Sequence, residues 1–178
     1  MIERTLMRPR ELIEFFNDCI EQAESCPTIN KSMLLTAEGN YSKKCLRSLQ
    51  DEWFVDYPTL VEFSSILKKK PRQFKLQDLE NNEIQDFCLD YAIKYTDKND
   101  VLSTQAKNAA EGMISILSFL AFAFHVFYRT GIVGLKTESF ESTQWSYKGP
   151  STIAADTIDF NTRVEIHTTF RRVLGIRP

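Results

Sequence analysis

The sequence predicts a mainly α fold, a helical bundle followed by a unit that carries a small antiparallel sheet. Three observations lead there. Before Gly131, apolar residues recur every three or four positions in several separate segments. After it, the pattern changes to short alternating runs broken by polar loops. The chain has 178 residues, 43% of them hydrophobic and 26% charged, as in a globular protein long enough to bury a real core. We divide it into residues 1–73, a helical subdomain, and 74–178, which holds the sheet.

The first helix is expected over residues 9–24, with Leu12, Ile13, Phe16, Cys19, Ile20 and Ala23 on one stripe at helical spacing. Pro9 suits a first turn, because its fixed φ is helical and its missing N–H would be unpaired there anyway. Arg8 and Arg10 stand where the helix dipole favours acids, which makes them candidate ligands for an anion, phosphate above all. Their other reading is solvated surface, or ion pairs with Glu3, Glu11 or Glu14. Pro27 ends this helix. Thr28 and Asn30 offer caps for a longer one carrying Leu34, Ala37, Tyr41, Cys45, Leu49 and Trp53, with a kink or split expected at Gly39-Asn40.

Pro58 opens a third helix with Leu60, Val61, Phe63, Ile66 and Leu67. It ends in the basic run Lys68-Lys69-Lys70-Pro71-Arg72, and cations suit a helix C-terminus. Residues 74–79 alternate like a short strand. Asn81-Asn82 introduce a helix bearing Ile84, Phe87, Cys88, Tyr91, Ala92 and Tyr95, and the polar run 96–100 closes it. One long helix is then expected over 103–129, stopped by Gly131. Residues 113–128 are almost all apolar, but a membrane span needs about 20 such residues, so a helix buried on all sides is expected. Residues 132–136 and 144–148 read as a hairpin, 162–167 as a third extended piece and 168–174 as a terminal helix. The sheet is thus expected to lie wholly after Gly131. Helices followed by a hairpin make a winged-helix layout.

Several kinds of chemistry lack their residues. Gly134-Leu135-Lys136-Thr137, the nearest string to a phosphate-cradling loop, has no glycine directly before its lysine. His125 and His167 are the only histidines and have no metal-ligand spacing; the first fits a core position and the second a local cap. Cys19, Cys26, Cys45 and Cys88 lack the paired spacing of zinc sites, and we read them as reduced thiols, three of them acting as small hydrophobes. Asp51-Glu52 and the pair Asp156 and Asp159 have no partner base in recognisable spacing and read as solvated surface. With 22 basic and 24 acidic residues the net charge is −2, so no global field draws nucleic acid or membrane. A cytoplasmic protein is expected, with no membrane partner.

A wider pattern runs through these residues. The strings Met7-Arg8-Pro9-Arg10-Glu11-Leu12-Ile13-Glu14-Phe15, Tyr41-Ser42, Asp51-Glu52-Trp53, Tyr57-Pro58, Tyr128-Arg129-Thr130-Gly131-Ile132-Val133-Gly134 and 166–176 appear in this order. Together they resemble the region after the nucleotide-binding core in bacterial P-loop ATPases of the AAA+/STAND type, many of them stress or phage-defence proteins. The resemblance implies a helical lid followed by a winged-helix unit, with Arg8 and Arg10 as sensors of nucleotide phosphate. It also implies a non-catalytic chain without a cofactor of its own: ATP and Mg belong to a core that these residues do not contain. The partners implied are that ATPase core, in cis or in trans, other protein subunits or a second copy of the chain. The alternative is a winged-helix DNA-binding protein. A DNA-reading helix must present polar side chains to base edges, whereas the helix before the expected wing is the most apolar in the chain.

Overall fold

The computed structural model describes residues 9–24, 26–96, 99–138, 142–149 and 153–176. The fold is mainly α with one small antiparallel sheet, as the periodicities predict. Helix α1 (Pro9–Gln22) and helix α2 (Lys31–Glu52) form an antiparallel hairpin. A short α3 (Leu60–Phe63) runs into a 3₁₀ turn (Ser64–Leu67) and then strand β1 (Gln73–Lys75). Helices α4 (Asn81–Lys94), α5 (Val101–Ala110) and α6 (Ile116–Arg129) follow, then strands β2 (Val133–Lys136) and β3 (Arg163–Ile166), and α7 (Thr168–Arg171).

Local chemistry sets most of these ends. The Asn30 side chain accepts from the Met33 N–H at 3.0 Å and caps α2, as expected. Asp100 caps α5 through the Leu102 N–H at 2.9 Å while 1% exposed. Its second oxygen accepts from the Thr59 hydroxyl, which in turn contacts the Tyr91 hydroxyl, so a buried carboxylate ties α3, α4 and α5 together. Gly131, at φ 80°, ends α6 in the left-handed region. His167 caps α7 by accepting the Thr169 N–H at its Nδ1, the local role expected of it.

Four expectations need correction. Helix α2 runs unbroken through Gly39, because a penalty of about 1 kcal/mol is small beside the packing of a 22-residue helix. The long helix expected over 103–129 is two helices. Gly112, at φ 71°, closes α5 and the Ser115 hydroxyl caps α6, accepting from the Ser118 N–H. Residues 144–148 form no strand: Gln144 makes one bridge to Leu135 and the chain then turns. The sheet is not confined to the region after Gly131 either. Its order is β1-β3-β2, so β3 lies in the centre and takes its second partner from before α4. The reason is apolar: Phe74 must be buried, and pairing with Val164 buries it.

The core lies between the helices and the inner face of the sheet. Phe74, Val164 and Leu135 sit side by side in register, none more than 7% exposed. Above them Phe63 contacts the rings of Phe87, Tyr91, Phe119 and Phe127 at centroid distances of 5.2–6.0 Å. Seven residues of α6 are buried, as its composition requires. No helix among the described residues is long and apolar enough to cross a membrane. The cluster runs from Leu46 in α2 to Leu174, so the end of the chain closes over the same core. Cys19 and Cys88 are buried and Cys45 half-buried, and burial pushes the Cys45 and Cys88 thiols up to about 12.

His167 supplies a pH test. Burial, with Arg171 and Lys148 nearby, pushes its imidazole down from 6.5 to about 4. Between those values the unfolded chain binds a proton that the native state does not. Stability is therefore complete above about pH 6.5 and falls by about 3 kcal/mol as pH drops to about 4. Urea melts through that window are expected to show a flatter profile for His167→Gln, which keeps a side-chain acceptor and loses the titration. Parallel profiles for the two proteins would contradict a buried neutral imidazole.

Candidate functional site

The hairpin of α1 and α2 holds the arginine that the sequence singles out. Pro9 is the first residue of α1, as its geometry suggests, and Arg10 follows in the first turn. Arg8 lies outside the described residues. The Arg10 side chain is 89% exposed and its Nε donates to Glu14 Oε1 at 3.0 Å, one helical turn on. Glu11, Glu14 and Glu52 share with it a shallow cleft of about 170 Å³, floored by Cys45 and Leu49. Its field is acidic, and Arg10 is the cation that offsets it.

Two faces of α1 are apolar. Phe15 and Cys19 are fully buried against Ala37 and Tyr41 of α2, with the Phe15 and Tyr41 rings 5.0 Å apart. Burial raises the Tyr41 phenol well above its ordinary value, and the neighbouring Cys45 adds to the effect. Asp18 is 3% exposed and pairs with the half-exposed Lys44 amine; hydrogen bonding to Asp18 raises the Lys44 pKa. On the opposite side Ile13, Phe16 and Ile20 are 61%, 49% and 52% exposed. They recur at i, i+3 and i+7 and so share one face. The stripe expected from helical spacing is therefore only partly buried. Of its members Cys19 is buried, while Ile13, Phe16 and Ile20 face solvent, because Phe15 and Asp18 take the side toward α2. Adjacent phenylalanines at 15 and 16 were the signal: on a helix they cannot point the same way.

The structure also joins three of the sequence strings. The Arg129 guanidinium lies 5.3 Å from the Trp53 ring centroid and 5.9 Å from that of Tyr57, and donates to the Tyr57 hydroxyl at 2.9 Å. A small cleft of about 160 Å³ opens there, between the end of α2 and Gly131. His125 is half-buried, and burial lowers its pKa. Among the described residues no group of three or more His, Cys, Asp or Glu side chains is placed to hold a metal ion.

Lys44→Met is expected to leave the buried Asp18 carboxylate without its cation, at a cost of about 1.5–3 kcal/mol. Adding Asp18→Asn to that variant removes the orphan charge and recovers part of the loss. Urea denaturation of the two variants beside the parent measures both effects. An unchanged midpoint in Lys44→Met would mean that the pair does not hold the hairpin.

Residues 1–50 match the family model of the FunZ-associated C-terminal helical domain. That span covers α1 and all but the last two residues of α2. No curated protein and no solved structure matches the chain. The hairpin, with its second apolar face, is thus the part of the molecule that fits a C-terminal helical module.

Proposed function

We propose that the chain is a non-catalytic regulatory and interaction module that acts on a P-loop ATPase core, present in cis or in trans. The observation that carries this reading is the stripe of Ile13, Phe16 and Ile20, exposed on the helix that opens the matched segment. A contiguous apolar stripe held open to water is the chemistry of a surface that docks on protein. The family description is of a C-terminal domain, a unit that follows another, and that agrees with a partner core. The sequence strings supply the ATPase identity of that core by resemblance.

In this reading residues 1–73 act as the lid and 74–178 as the winged-helix unit. The sheet order β1-β3-β2, with α4, α5 and α6 inserted between β1 and β2, supports the second assignment. The main core reaches into both parts, so they would move as one body and pass a change at α1 to the sheet. Arg8 and Arg10 are the nucleotide sensors, and Glu14 is the group that a phosphate must displace from Arg10. The DNA-binding alternative is less favoured, because the helix before β2 buries the side a groove would need.

In the intact protein Phe16→Glu is expected to keep its melting temperature and to uncouple ATP turnover from the module. Arg10→Ala should weaken the ATP response by about 1.5–3 kcal/mol, and Arg10→Lys should restore part of it by keeping charge without the planar fork. Steady-state turnover against ATP concentration reads both effects. ATP hydrolysis by the purified chain alone, abolished in Arg10→Ala, would overturn the non-catalytic assignment.

A further inference from the structure

The register of the sheet places three cations in a row. Lys75 pairs with Arg163 and Arg163 with Lys136, one residue along from the buried row of Phe74, Val164 and Leu135. Successive side chains on a strand point to opposite faces, so the three cations share the outer face. Neighbouring strands lie about 4.8 Å apart, close enough for one phosphoryl group to reach two adjacent cations. Like charges directly opposite one another destabilise a sheet. None of the three takes part in an ion pair among the described residues.

The surrounding carboxylates are mostly engaged elsewhere. Asp78 accepts the Lys75 backbone N–H at 2.8 Å. Glu165 accepts from the Thr143 hydroxyl at 3.2 Å and from Arg171 at 3.4 Å. Asp159 accepts the backbone N–H groups of Asn161 and Thr162, both at 2.9 Å. Glu138 lies at the rim, exposed. Counting all four against the three cations, the local charge is −1, so the site has no long-range field to gather a polyanion. What it offers is short-range contact from three adjacent cations.

Those cations line a cleft of about 640 Å³, within the range of small-molecule sites. Its other walls carry Gln73, Gln77, Ser142 and Thr143, which supply amide and hydroxyl groups, and the carboxylates of Asp78 and Glu165, held by the hydrogen bonds just given. Gly134 lets another segment close on the sheet beside the row: a Cβ there would lie 2.5 Å from the Thr143 methyl and 2.7 Å from the Trp145 ring. The segment with Thr143 and Trp145 therefore rests directly on the strand and forms one wall of the cleft.

We propose that this cleft binds a small molecule bearing one or two phosphoryl groups, with Arg163 at the centre of the row and Lys75 and Lys136 on either side. The site stands apart from the reading of α1 given above, and its success or failure leaves that reading untouched.

Inorganic pyrophosphate is the probe, titrated into the full chain by calorimetry and followed in parallel by the tryptophan fluorescence to which Trp145 contributes. Saturable binding is expected, weakened at least about tenfold in Arg163→Gln and in Lys75→Gln, and unchanged in Lys43→Gln on the exposed side of α2. Circular dichroism confirms folding, and Lys75→Gln serves if Arg163→Gln does not fold. No binding of pyrophosphate, or equal loss in Lys43→Gln, overturns the proposal. So does tight binding of an oligonucleotide that needs Arg163 while pyrophosphate binds no better than sulfate, which would make the row a nucleic-acid surface.

Discussion

The apolar row of Phe74, Val164 and Leu135 is the constraint on which the rest of the structure depends. These residues come from three distant segments and are buried together against the aromatic cluster around Phe63. To bury them, β3 must lie between β1 and β2, and the whole of α4, α5 and α6 must be looped out between the two edge strands. The period of two along a strand then leaves no choice for the next positions. Lys75, Arg163 and Lys136 must stand together on the other face, whatever that costs.

The same logic of faces applies to α1. Among the described residues α1 packs chiefly against α2, which needs only one apolar stripe, and α1 has two. Phe15 and Cys19 are accounted for by Ala37 and Tyr41. Ile13, Phe16 and Ile20 are not accounted for by anything among the described residues. An exposed stripe on the helix that a C-terminal-domain family matches is what connects the fold to a role in association.

Much of this was legible in the sequence, for physical reasons that differ by element. The helical periods before Gly131 and the caps at Asn30 and His167 are local signals, and local signals survive folding. The pairing of β1 with β3 joins residues some ninety positions apart. Nothing local marks it, so the alternation at residues 74–79 does not tell which strand it pairs with, nor that the strand ends at Lys75 where a 3₁₀ turn begins. The break at Gly112 is hidden in the sequence, because the apolar period on either side masks a left-handed stop. For the candidate sites, the oddity of Arg10 was visible but its pairing with Glu14 was only one of several options. The cation row could not be seen at all, since its members are isolated in sequence and neighbours only through register.

The measurement that tests this account most directly is the stability of Arg163→Gln at low and high ionic strength. If register forces together three cations that have no ion-pair partner among the described residues, removing the central one relieves repulsion. The variant is then more stable than the parent by roughly 0.2–1 kcal/mol at low salt, and the gain disappears as screening rises. A variant less stable than the parent at low salt, or a difference that salt leaves unchanged, would contradict the register and the cation row built on it.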